Sequence, residues 1–195
     1  NIRMFIRSLA RNWQENLVSL AGLSLGMMVA ILSVSYIVFE SSYDSFHPAS
    51  DRIFTVYTRY VLQGSSPVSF AIESGMKSYA EDNVAEVETA CIVKKTTTDL
   101  SLESNVFKGI DGYFTGPEFF SMFDFRLISG DPGLLAEPGT IFLTVRLAEK
   151  LFGGIDCSGR IIRIDDKPYT VSGIIKDPPV NSNLEFDFLL PEHKA

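Results

Sequence analysis

The sequence is poor in the residues that do chemistry. It has two histidines, His47 and His193, and two cysteines in 195 residues. It lacks the G-x-S-x-G of a serine hydrolase, the H-E-x-x-H of a zinc protease and the C-x-x-C of a thiol redox site. The nearest approach to a phosphate loop, Gly153-Gly154, follows an expected helix instead of opening one and has no G-K-[ST] ending, so nucleotide chemistry would reside on another chain. The reading is therefore of a protein that is not an enzyme, with no catalytic residue, metal ligand set or cofactor. Internal repeats and low-complexity linkers are also missing.

Charge is missing from one long stretch. From Leu17 to Phe39, 23 residues run without a charged side chain, and as a helix they would be about 34 Å long, enough for a hydrocarbon core of about 30 Å. Their only polar residues are Ser19, Ser24, Ser33, Ser35 and Tyr36, so the polar stripe of a buried soluble helix is lacking. Residues 17–39 read as a transmembrane helix. Ser33-Val34-Ser35 has the small-x-small form of a signal-peptide cleavage site, but the apolar run exceeds the usual length of such a region and continues past it.

Basic residues are missing after this run. Arg3, Arg7 and Arg11 precede it, whereas Glu40, Asp44 and Asp51 follow it with no Lys or Arg before Arg52. By the positive-inside rule the N-terminus is cytoplasmic and the main domain lies on the other side. Residues 1–39 carry a net +2 and residues 40–195 a net −9. So acidic a domain has no electrostatic attraction for nucleic acid or anionic lipid.

Residues 1–16 read as an interfacial amphipathic helix. Ile2, Phe5, Ile6, Leu9 and Trp13 share one face, the three arginines occupy the other, and Arg3, Arg7, Arg11 and Trp13 anchor it at headgroup level. Within the span, Gly22 and Gly26 form a G-x-x-x-G whose small face continues through Ala30 and Ser33. That face suits close packing against another membrane helix, but glycine is also simply frequent in membrane helices, and both readings stand.

Residues 40–51 read as a stalk, with the helix running on through Ser41–Phe46 because nothing breaks it before Pro48. The domain at 52–195 reads as α+β. Strands are expected at 53–61, 86–94, 102–110, 140–144, 160–164, 169–176 and 184–190, and helices at 69–81, 118–123 and 145–152. Lys95–Ser101 reads as a polar connection, Gly130-Asp131-Pro132 as a turn, Gly153-Gly154 as a helix stop and Asp165-Asp166-Lys167-Pro168 as the bend of a hairpin. In an oxidising compartment Cys91 and Cys157 could close a disulfide or be two separate buried small residues, and spacing does not choose. The phenylalanines at 114, 119, 120, 123 and 125 could line a pocket, but a domain of this size needs them for its core.

At Ser42–Val56, SYDSFHPASDRIFTV, the sequence resembles the segment that joins the first membrane helix to the extracytoplasmic domain in ABC transporter permease subunits of the MacB/FtsX/LolC type. RSLARNWQENLVSLAGLSLG resembles their entry helix and first span. PEFFSMFDFRLISGD, TIFLTVRLAEKLFGG, CSGRIIRIDD and YTVSGIIKDPPVNSNLEFDFLLP resemble successive blocks of their MacB-like periplasmic core domain. The resemblance implies a porter-like lobe with a smaller inserted lobe at about 111–168, a bacterial inner-membrane location with the domain in the periplasm, and the lipid bilayer as surroundings.

It also implies function. Such a subunit couples ATP hydrolysis by a separate cytoplasmic ABC ATPase to movement of the extracytoplasmic domain, serving export, lipoprotein release or hydrolase control. Its partners would be that ATPase, a second permease copy or paralogue, and a periplasmic protein. The residues matching the linking motif are Tyr43, Asp44, Phe46, His47, Asp51 and Arg52. Either they couple stalk to domain, with Asp44, Asp51 and Arg52 in charge-assisted hydrogen bonds and Tyr43 and Phe46 packing the joint, or they only end the helix and start the fold. The sequence stops at Ala195 directly after the first core domain, so it reads as a fragment. A membrane-anchored extracytoplasmic sensor, or a single-pass adhesion or scaffold protein, would share the same outline.

Overall fold

The structure, a computed structural model, describes residues 13–59, 68–69 and 75–192. The chain divides into two units, Asn1–Tyr43 and Asp44–Ala195. In the first, α1 runs from Trp13 to Glu40 with no buried residue. It is long and apolar enough to cross a membrane. The interfacial helix expected over 1–16, with Arg3, Arg7 and Arg11, lies outside the described residues except for its last four positions, which form the start of α1.

The helix ends earlier than expected. Instead of continuing to Phe46, it gives way after Glu40 to a run of turns. Serine hydroxyls take its last carbonyls: Ser41 Oγ donates to Val38 O at 3.1 Å and Ser42 Oγ to Phe39 O at 2.6 Å. Such local bonds compete with the helical ladder. Asp44 then takes a left-handed φ of 53°, which no α-helix accommodates.

The second unit opens with a short 3-10 turn, Ser50–Arg52, and a two-stranded pairing of β1, Thr58–Arg59, with β2, Val68–Ser69. Of the strand expected over 53–61, β1 is the part observed, and the helix expected over 69–81 is described as α2, Met76–Asn83.

Next comes a hairpin whose position differs from the expectation. β3 is Lys94–Leu102 and β4 is Asn105–Thr115, so the polar stretch 95–101 is strand and residues 86–93 are not. Cross-strand polar bonds hold it: Lys95 and Thr97 both reach the Asp111 carboxylate, and Asp99 accepts the Gly109 N–H at 2.9 Å. Apolar alternation is absent because β3 is polar on its outer face and carries Thr96 and Thr98 on its inner one.

The remaining elements are α3 (Glu118–Met122), β5 (Leu127–Gly130), a 3-10 turn (Pro132–Ala136), β6 (Thr140–Thr144), α4 (Val145–Phe152), β7 (Ile161–Ile164), β8 (Lys167–Ile175) and β9 (Phe188–Pro191). Thr144 caps α4 by accepting the Leu147 N–H, and Gly153 stops it at φ 78°. Asp165 and Asp166, both at positive φ, make the two-residue bend between β7 and β8.

Seven strands lie in one sheet of order β5-β8-β6-β9-β4-β3-β7, and β7 pairs again with β8. The sheet therefore closes into a ring of six strands, with β5 added outside it. The boundary expected at about residue 111 falls within β4, and strands from both sides of it share this sheet.

The ring has an interior and one covered outer face. Leu100, Ile110, Ile141, Leu143, Ile162, Ile164, Val171, Phe188 and Leu190 from all six strands form one buried cluster, with Leu147, Ala148 and Leu151 of α4 joining it. The alternate residues Tyr113, Phe142, Ile175 and Leu189 face outward into a second cluster with Phe119, Phe125, Leu135 and Phe186. Gly112 and Gly173 make this packing possible, since a Cβ at either would overlap the Phe188 or the Phe142 ring.

Gly112→Ala is expected to destabilise the domain by about 1–3 kcal/mol, read as a drop of several degrees in the thermal midpoint. Adding Phe188→Leu should recover most of that loss. A double variant no more stable than Gly112→Ala would show that space beside Phe188 is not the reason for the glycine.

Candidate functional site

Where the second unit begins, the chain is fastened into it by a carboxylate, an aromatic ring and a histidine. Asp44 Oδ1 accepts the Asn183 N–H at 3.0 Å and the Ser182 hydroxyl at 3.3 Å, and Oδ2 accepts the Asn183 side-chain amide at 2.7 Å. Its own N–H donates to Asn181 O at 3.0 Å. One ionised side chain thus organises the turn that precedes β9, 138 residues away. Ser182 is buried and also accepts the Leu184 N–H at 3.1 Å.

The left-handed backbone at Asp44 contributes to this geometry. Aspartate tolerates that conformation better than most residues. The His47 N–H turns back to Asp44 O at 3.2 Å, closing a tight loop that aims the next two rings inward.

Phe46 packs against the outer-face cluster, edge-on to Phe125 at 5.9 Å between centroids. His47 is only 3% exposed and sits edge-on to Phe123 and Phe125, at 5.4 and 5.3 Å. Its Nδ1 accepts the Asp124 N–H at 3.1 Å, which puts the imidazole proton on Nε2. Nε2 is buried without a partner among the described residues. Burial pushes the imidazole below its ordinary pKa, against the pull of the Asp44 and Asp124 carboxylates. Both the burial and the bond accepted at Nδ1 favour the neutral ring.

The other motif residues are placed differently. Arg52 donates to Glu88 at 3.0 Å in an exposed pair with the two side chains 62% and 79% accessible, a class that contributes little. Asp51 is exposed in the 3-10 turn. Tyr43 belongs to the first unit and lies edge-on to Phe39 at 5.4 Å. The structure therefore brings Asp44, Phe46 and His47 together and leaves Asp51 and Arg52 outside that constellation. Sequence reasoning missed Ser182 and Asn183, although N-S-N after two prolines is a run of side-chain amides and hydroxyl suited to a carboxylate. It also missed Asp124, whose contribution is a backbone N–H that no sequence pattern reveals.

Gly22 and Gly26 have open space beside them and Ala30 is exposed. Cys91 and Cys157 are free thiols in different clusters, Cys91 beside Thr115 Oγ1 at 3.2 Å against the outer-face cluster and Cys157 within the ring interior. Burial pushes both thiols above their ordinary pKa. Phe119 and Phe125 are buried and Phe120 and Phe123 pack against them, while Phe114 packs against the interior cluster and lines a cavity of about 150 Å³ with Thr96, Thr98 and Tyr169 at the mouth of the ring. Among the described residues no three His, Cys, Asp or Glu are grouped to hold a metal.

Residues 17–194 match the family described as the MacB-like periplasmic core domain. No curated protein matches the chain. Among solved structures, a domain of a candidate permease from Porphyromonas gingivalis is 28% identical with a TM-score of 0.64, over 74% of this chain and 65% of the other. The chain thus spans just under two thirds of that domain. The periplasmic region of MacB from Actinobacillus actinomycetemcomitans is 13% identical with a TM-score of 0.49, over 59% of this chain and 52% of the other. The extracellular domain of the ABC-type transporter YknZ from Gram-positive bacteria is 14% identical with a TM-score of 0.49, over 60% of each chain.

Asp44→Ala is expected to lower the stability of the second unit by about 1.5–3 kcal/mol, the range for hydrogen bonds to an ionised group, with Asp44→Asn in between because one carbonyl acceptor remains. Urea unfolding followed by circular dichroism measures both, and an Asp44→Ala midpoint equal to that of the unmodified chain would remove the carboxylate from any structural role. Reductant should leave the thermal midpoint unchanged, since neither thiol is in a disulfide. A midpoint lowered by reductant would mean that the two cysteines are bonded in solution.

Proposed function

The chain belongs to the family of MacB-like periplasmic core domains, and from that premise we propose that it is the first span and extracytoplasmic domain of an ABC-type permease subunit that works as a mechanical transmitter. α1 crosses the bacterial inner membrane with its N-terminus in the cytoplasm, where positive charge precedes it, and the acidic domain faces the periplasm. A separate cytoplasmic ATPase supplies the work, and a second permease copy or paralogue completes the assembly. Gly22, Gly26 and Ala30 provide the small-residue face on which a neighbouring membrane helix packs.

The observation that carries the reading is the fastening at Asp44, Phe46 and His47. Force arriving along a helix is delivered only if the chain leaving it is stiffly held by what it must move. A flexible tether would absorb the displacement in its own entropy. Here the hydrogen bonds of the domain begin at Asp44, four residues after α1 ends at Glu40. Asp44 grips the turn before β9 and His47 grips the turn after α3. A pull on this segment is thereby shared between the backbone leading into the central strand β9 and the aromatic cluster covering it. Nothing in this task requires bond chemistry in the domain.

The test uses the complete permease reconstituted with its ATPase in liposomes. Asp44→Ala is expected to leave ATP hydrolysis within about twofold of normal and to reduce the transport or release activity about tenfold or more. Arg52→Ala should change neither, because its partner Glu88 is exposed and screened. Asp44→Ala with full activity would sink the coupling role. A complete chain that proves to have one further span and a signalling domain would instead support the anchored-sensor reading.

A further inference from the structure

Resting on that reading of the joint, we propose that His47 makes it acid-sensitive: protonation of the buried imidazole releases the segment Asp44–Arg52 from its seat on the domain, so that external acidity loosens the transmission.

The geometry allows His47 one comfortable state. Nδ1 is committed as an acceptor to the Asp124 N–H. A proton on Nδ1 turns that contact into two donors facing each other, and the bond is lost. The new charge would stand in a pocket walled by Phe46, Phe123 and Phe125, with Nε2 already buried and without a partner among the described residues. Water cannot solvate the imidazolium there without opening the pocket.

The charged groups that face His47 are the carboxylates of Asp44, on its own segment, and Asp124, on the turn after α3. Both favour the charged form, but neither accepts a hydrogen bond from the ring, and burial outweighs them. Because the folded-state value is lowered, the docked segment is fully stable above the ordinary histidine pKa of about 6.5 and loses stability as the pH falls through the lowered value. Aspartate and glutamate ordinarily titrate below this window. The only other histidine in the sequence is His193.

The experiment is hydrogen exchange by mass spectrometry on the full chain in detergent micelles at about pH 7.5 and about pH 5.5, each corrected for intrinsic exchange. Protection at the Asp124 and Asn183 amides is expected to fall roughly threefold or more on acidification, and His193→Gln should show the same fall. His47→Phe and His47→Gln should abolish the fall at Asn183, the second variant serving if the first does not fold. Equal protection at the two pH values in the unmodified chain overturns the proposal. So does a fall that persists at Asn183 in both His47 variants. These readouts need no ATPase and are independent of the constant-pH activity assay of Asp44→Ala, so failure of the acid switch is distinguishable from failure of the coupling role.

Discussion

The joint at the start of the second unit depends on a single carboxylate. Asp44 receives two hydrogen bonds from Asn183 and one from Ser182 while its own N–H is given to Asn181. A charged acceptor with three donors can hold a left-handed residue and a loop in one arrangement, because both oxygens are engaged. Phe46 and His47 follow from it. With the backbone turned at Asp44, the next two rings, Phe46 and His47, point into the aromatic cluster, while Ser45 between Asp44 and Phe46 is exposed.

The cluster they enter exists because the sheet closes. In a closed ring every strand has an inner and an outer face, and β6 and β9 are central enough to bury both, with Ile141 and Leu143 inside and Phe142 outside, and with Phe188 and Leu190 inside and Leu189 outside. An open sheet would leave the outer aromatics to be covered by a second layer. Here α3, the turn at 123–125 and the 3-10 turn at 132–136 cover them, and the segment after Asp44 completes the cover with one ring. Removing Phe46 from that surface would uncover Phe125, which ties the joint to the stability of the core.

What could be read from the sequence was whatever local chemistry determines. α4 was legible to the residue, since Thr144 caps it, its apolar spacing is regular and Gly153 stops it. The apolar span, the β6 strand and the β7–β8 hairpin were legible for the same reason. β3 was not, because its ladder is held by Lys95, Thr97 and Asp99 against Asp111 and Gly109, and polar pairs give no apolar alternation. The β-branched run Thr96-Thr97-Thr98 was the signal available. The end of α1 was misread because the Ser41 and Ser42 hydroxyls bond the last carbonyls and Asp44 turns left-handed, and neither leaves the signature of a proline.

The site was half legible, for a reason that applies to joints in general. A linking motif is contiguous in sequence and can be recognised as a block, but the groups it grips are elsewhere, at 123–125 and 181–184. Within the block, sequence weighs all charged residues alike. The fold separates them by burial: Asp44 faces amide donors in a half-buried corner and organises structure, whereas Arg52 meets Glu88 in solvent, where hydration already satisfies both charges. Burial also decides the case of His47. The same imidazole on the surface would titrate freely with no effect on the fold, and it is the surrounding phenylalanines, together with one backbone N–H, that turn its protonation into a mechanical event.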